Sequence, residues 1–235
     1  MWGTTGFAYN TKAIQERMPE APVSSWAMVF EPEIVSQFED CGDAILASPT
    51  DILASVKHYL GLDPASESAD DLKQAEDLLM GVRQYIRYFH PSQYINDLAN
   101  GDICLAVGYS GDLLQSRDRA AEANNGVEIE YVIPEEGGVV WFDLMAIPAD
   151  APNVDEAHQF INFIMDAQIA ADITNYVFYA NANAASTELV DAEVTSDQGI
   201  YPSDEVKAGL FAMKAFSSRY DRIMNRTWTR IKTGQ

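Results

Sequence analysis

The sequence predicts an α/β fold with a mainly parallel sheet, and three observations carry that expectation. Asp71–Ile86 and Asn153–Met165 hold apolar residues at the three- and four-residue spacing of an amphipathic helix. Ile103–Tyr109, Val127–Ile133 and Val139–Ile147 are short apolar runs of strand length. Strand and helix signals alternate, with no internal repeat and no low-complexity linker, which is the order that builds a layered α/β domain.

Taken in order, the first predicted helix is Thr50–Leu60, stopped by Gly61. Asp71–Ile86 follows. Leu72, Ala75, Leu78, Leu79, Val82, Tyr85 and Ile86 make its apolar face, and Ser68 is placed to cap its first turn. A shorter helix at Ser92–Ala99 ends near Gly101. Ile103–Tyr109 is a compact run closed by Gly108 and Gly111, as suits a buried strand. The Asn124-Asn125-Gly126 turn leads into Val127–Ile133, where Glu128 and Glu130 alternate with apolar neighbours. Val139–Ile147 is apolar except for Asp143. In Asn153–Met165 the apolar face is Val154, Ala157, Phe160, Ile161, Ile164 and Met165. Two further helices are predicted at Ser203–Phe216 and Tyr220–Lys232.

Composition narrows the function classes. A chain of 235 residues suits one large domain or two small ones, and 47% hydrophobic with 22% charged residues is a folding composition rather than a disordered one. No run approaches the roughly 18 to 20 apolar residues of a membrane-spanning helix. Fifteen basic against 36 acidic residues give a net charge of −21, which repels phosphate backbones and excludes nucleic acid as the expected partner. Such a surface attracts cations, or simply keeps the chain soluble. Residues 201–235 alone carry +4, leaving −25 on the rest. That basic tail reads either as a partner surface or as helices packed on an acidic body, and the second is expected. Met1-Trp2-Gly3-Thr4-Thr5-Gly6 shows no basic and apolar leader, so no signal peptide is expected in this chain. Cys41 and Cys104 form no CxxC pair. Joined, they would constrain the unfolded chain by ~4 kcal/mol; in a reducing compartment they would be buried free thiols.

Asp143 is the most informative polar residue. A carboxylate inside Val139–Ile147 is costly unless something pairs with it, an internal arginine, a helix N-terminus or a ligand. Trp141 lies two residues away and would project from the same strand face. An aromatic wall beside a carboxylate suits an ammonium group, through cation–π attraction of about 1–2 kcal/mol and charge pairing. Gly108-Tyr109-Ser110-Gly111-Asp112 repeats the combination at a strand end, where α/β folds bind ligands; Asp112 also reads as a plain helix N-cap. The nucleophile-elbow pattern fails there, because Asp112 stands where it needs glycine. His58, His90 and His158 lack metal-ligand spacing, and neither a P-loop nor GxGxxG occurs. No metal or cofactor is therefore expected, while a hydrolytic carboxylate pair stays open on spacing alone, since acidic residues are everywhere in the chain.

The chain resembles the periplasmic polyamine-binding receptors of ABC importers, the putrescine/spermidine type. The resemblance rests on Trp2-Gly3-Thr4-Thr5-Gly6, Ser48-Pro49-Thr50-Asp51, Ile86–His90, the long Ser92–Cys104 stretch, Gly111-Asp112, Trp141-Phe142-Asp143 and Val177–Asn183. It implies a type II periplasmic-binding-protein fold, two α/β lobes with the ligand between them, here incomplete in the first lobe because family chains are longer by an N-terminal third. Residues 5–120 and 200–235 would form the second lobe, 138–147 the crossing strand, and 148–195 a contribution to the first lobe. Asp112 and Asp143 match carboxylates that salt-bridge ligand ammoniums. Asp51 or its neighbour Thr50 matches an acidic position that meets an ammonium. Trp141 and Tyr179 match cleft aromatics, and Tyr109 stands where the family carries tryptophan. Cys41 and Cys104 match a pair that the family can join. The implied activity is capture of putrescine or spermidine and delivery to an ABC permease, by a periplasmic protein that is monomeric when full length and is not an enzyme. The rival readings are a receptor or sensor for another cationic amine and, far behind, a carboxylate-dependent hydrolase.

Overall fold

β1 (Trp2–Asn10) organises the sheet; in the computed structural model, which describes residues 1–235, Gly3 to Tyr9 are all buried. The second half of β1 pairs antiparallel with β4 (Leu105–Tyr109), Thr5 opposite Tyr109, and on its other side with β5 (Ile129–Val132). The first half pairs antiparallel with β6 (Val139–Phe142), Gly3 opposite Trp141. β2 (Asp43–Leu46) lies parallel between β3 (Ile86–His90) and β4, and the short β7 (Phe211–Ala212) adds in parallel to β6. The seven strands run β3-β2-β4-β1-β6-β7, with β5 also on β1. The sheet is thus mixed, not mainly parallel: three pairings are parallel and three, all made by β1, are antiparallel. The Gly- and Thr-rich start of β1 carries no strand periodicity, so its pairings leave no local signal.

The helices are α1 (Thr11–Arg17), α2 (Ala27–Phe30), α3 (Pro32–Val35), α4 (Pro49–Tyr59), α5 (Ala69–Val82), α6 (Tyr94–Asn100) and α7 (Ser110–Ala123). Then come α8 (Val154–Ile164), α9 (Ala167–Val177), α10 (Ala192–Ser196), α11 (Asp204–Ala208) and α12 (Ser218–Thr233). Ser68 caps α5 as expected, accepting from the Asp70 and Asp71 amides at 3.2 and 3.4 Å. The helix stops at Val82, however. Arg83–Tyr85 form a single 3₁₀ turn and Ile86 begins β3. The predicted Ser203–Phe216 helix shrinks to α11, because Phe211 and Ala212 are drawn into pairing with β6. The predicted strand Val139–Ile147 ends at Phe142, and Asp143 to Ala146 are exposed. Periodicity also misses α7, whose buried side is partly Ser110, Gly111 and Ser116.

The main core joins β1 to β5 with α1 to α7 and the apolar stripe of α12, namely Tyr220, Met224, Trp228 and Ile231. A smaller cluster gathers Leu114, Ala171, Ala180, Val190, Val194 and Ile200. α8 buries nothing: Phe160 and Phe163 are each 58% exposed. The basic tail packs as a helix on the acidic body, as expected, and does so mainly through the apolar stripe of α12. Arg230 bonds Glu76 at 2.6 Å, while Arg219, Arg222 and Arg226 face solvent without an ion pair. Lys57 on α4 is buried and donates to the Ser66 carbonyl at 2.9 Å and the Tyr220 hydroxyl at 3.3 Å; burial pulls its ammonium pKa down. A Cys41–Cys104 disulfide, Cα–Cα 5.5 Å, ties together the segments leading into β2 and β4.

Candidate functional site

Where β1, β4 and β6 meet, their ends converge with the start of α4 and the segment after α9. Asp51, Tyr109, Trp141, Asp143 and Tyr179 line one cavity of about 320 Å³ there. Its size falls at the lower end of the roughly 300–1,000 Å³ of small-molecule sites. Five of the six residues expected from the sequence thus share one wall. Of the two candidate positions on α4, Asp51 rather than Thr50 lines it.

Each side chain is aimed by its element. Asp51 sits in the first turn of α4, where the helix dipole favours a negative charge. Thr5 donates to its Oδ1 at 3.2 Å and Ser48 donates to its Oδ2. Trp141 and Asp143 do project together, as the two-residue spacing predicts, although Asp143 is exposed and not embedded in an apolar strand. The premise that burial makes Asp143 costly is therefore corrected, because β6 ends before it. Three rings form a connected wall. Trp141 meets Tyr109 edge-on at 5.4 Å between centroids and Tyr179 edge-on at 5.2 Å. The Trp141 indole Nε1–H is buried without an acceptor.

Asp112 stands behind this wall and does not line the cavity. Tyr109 occupies the N-cap of α7, so Asp112 is not the N-cap but a first-turn residue. Its Oδ1 accepts from the Tyr179 hydroxyl at 3.0 Å and its Oδ2 from Tyr94 at 2.8 Å. Burial, reinforced by the Asp112 charge, pushes the Tyr94 and Tyr179 phenols far up, so both stay protonated donors. Burial and the nearby Asp51 push Tyr109 up to about 12. Sequence reasoning missed Thr5, Ser48 and Tyr94. Thr5 and Ser48 stand there only within the segments that carry the resemblance and Tyr94 within a predicted helix, and only the tertiary arrangement brings them to the carboxylates.

Chemically, the cavity offers two carboxylates and three aromatic rings, with no basic side chain. That set holds a cation with an apolar body. A larger groove of about 430 Å³ between α7 and α9 mixes Asp118 and Glu122 with Arg119 and lacks this one-signed character. No cluster of three His, Cys, Asp or Glu side chains is arranged to hold a metal ion.

Comparison with known proteins gives the same direction. Residues 1–196 match the family described as bacterial extracellular solute-binding protein. The chain is 48% identical over 237 residues to the putrescine-binding periplasmic protein PotF of Escherichia coli, covering 100% of this chain and 64% of that protein. It is 46% identical over 236 residues to the putrescine-binding periplasmic protein SpuD of Pseudomonas aeruginosa, again covering 100% and 64%. The chain therefore spans about 64% of the length of these relatives. Among solved structures, a putative spermidine/putrescine ABC transporter protein from Listeria monocytogenes superposes with a TM-score of 0.84 at 28% identity, over 100% of this chain and 68% of that one. The two-lobed α/β class expected from the resemblance is thus the fold that this chain shares.

Proposed function

We propose, since the chain belongs to the bacterial extracellular solute-binding protein family, that it is the larger part of a periplasmic receptor that captures putrescine or spermidine and hands it to an ABC permease. The observation that carries this reading is the cavity wall itself, Asp51 and Asp143 with Tyr109, Trp141 and Tyr179, and no base. A polyamine is a chain of methylenes between ammonium groups. Asp51 and Asp143 meet the ammoniums, the rings cover the methylenes, and Asp112 adds its charge through Tyr179. Each cation–ring contact is worth about 1–2 kcal/mol when desolvated. Closure of two lobes strips the remaining water and creates the form that the permease accepts. No bond is made or broken in this sequence of events.

In the same reading, residues 5–120 and 200–235 form one lobe, 138–147 the crossing strand, and 148–195 part of the other. The exposed Leu144, Phe160, Phe163 and Tyr176 then mark the face that the rest of that second body covers. The disulfide, together with the periplasmic relatives, supports an oxidising compartment.

Fluorescence titration with putrescine and with 1,4-butanediol tests the site, since the diol keeps the shape and loses the charge. Saturable binding of the diamine alone is expected; equal binding of both contradicts it.

A further inference from the structure

Gly108 and Gly111 flank the passage from β4 into α7, and each lies against a tyrosine ring. A Cβ on Gly108 would stand 2.6 Å from Cε2 of Tyr94, and one on Gly111 would stand 2.5 Å from the ring of Tyr179. Only glycine leaves room for both rings. They approach one carboxylate, and each of its oxygens receives its own phenol: Oδ2 from Tyr94 at 2.8 Å, Oδ1 from Tyr179 at 3.0 Å. The Tyr179 hydroxyl in turn accepts the Asp112 amide N–H at 3.2 Å. Tyr179 lines the cavity, Asp112 stands behind it, and Tyr94 is fully buried at the start of α6.

A carboxylate held at one oxygen turns freely, because its last torsion is broad and two-fold. Held at both, it has one orientation. We propose that Tyr94 is a positioning residue of the binding site: it anchors Oδ2 of Asp112, and the anchored carboxylate sets the direction in which the Tyr179 phenol faces the cavity. The inference rests on the ligand-binding reading above. Besides the two phenols, the titratable groups around Asp112 are Tyr109 on β4 and, beyond it, Asp51 on α4. Neither Tyr109 nor Asp51 is hydrogen-bonded to Asp112, so the two phenols are its side-chain donors.

The test is Tyr94→Phe, which keeps the ring and removes the hydroxyl alone. Putrescine affinity is expected to fall about tenfold, the loss of one hydrogen bond to a charged acceptor. In an Asp112→Asn background the same substitution is expected to change affinity less than about twofold, because the coupled partner is gone. Equal losses in both backgrounds mean ring packing only and overturn the proposal, as does an unchanged affinity in a folded Tyr94→Phe protein. A ligand-free readout separates this outcome from failure of the polyamine reading. The carbon-13 resonance of the Asp112 carboxyl, assigned by its disappearance in Asp112→Asn, and the Tyr179 ring signals should both move in Tyr94→Phe. If neither moves, Tyr94 does not position the site, whatever the ligand is. Should Tyr94→Phe fail to fold, the unsubstituted protein serves, since its buried Tyr94 hydroxyl proton should shift when putrescine is added. A static hydroxyl signal in the presence of bound putrescine overturns the proposal.

Discussion

Asp43 offers the sharpest test of the energetics. It opens β2 at 1% exposure, and neither carboxylate oxygen has a hydrogen-bond partner. Burial pushes its pKa well above the usual carboxylate range. The folded state therefore holds this proton to higher pH than the unfolded chain does. Stability falls as pH rises from the ordinary carboxylate range, about 3.9, towards the raised value. Keeping the proton above that range costs stability that the unfolded chain does not lose. The unsatisfied polar group adds roughly 1–3 kcal/mol at any pH. Asp43→Val, which suits a buried strand, should stabilise by roughly 1–3 kcal/mol at pH 4, where mainly the unsatisfied polar group is removed, and by more than that at pH 7. Asp43→Asn should remove the pH-dependent part and keep the rest. Urea unfolding followed by circular dichroism, with the disulfide intact, reads both differences against the parent chain. A parent as stable as Asp43→Val at pH 7, or a gain equal at pH 4 and pH 7, would refute the reasoning.

Three further outcomes follow from the geometry. Asp143→Asn should weaken putrescine binding by about tenfold or more, ~1.4 kcal/mol, in calorimetry, while leaving the melting temperature unchanged because the side chain is exposed. Tyr109→Trp should tighten spermidine more than putrescine, by about 1 kcal/mol for the added ring area; weaker binding of both would mean that the larger ring fills the cavity instead. Replacing both Cys41 and Cys104 with Ser should cost ~4 kcal/mol, given their 63-residue separation, as read by denaturant midpoint.

What could be read in the sequence was whatever has a local signature. The α5 stripe and its Ser68 cap lie within one segment, and both stand. Trp141 and Asp143 line one cavity, as the two-residue spacing suggested, although β6 ends between them. β1 could not be read that way. Its partners are β4, β5 and β6, about a hundred or more residues away, and its Gly3 and Gly6 leave room for the Trp141 ring and the Val132 carbonyl. The end of β6 before Asp143 and the shortening of α11 were hidden for the same reason, since pairing decides them and not periodicity. At the site, the side chains that face the cavity were legible through the resemblance, whereas those that hold the carboxylates, Thr5, Ser48 and Tyr94, were not. Their role comes only from tertiary contact.

The measurement that bears most directly on the central claim is isothermal calorimetry with putrescine and spermidine, on this chain and on a version extended to the length of its relatives. The account predicts saturable binding of at least one amine by the extended version, abolished when Asp51 and Asp143 are both changed to Asn. No heat of binding from either folded protein, or binding that survives the loss of both carboxylates, would contradict it.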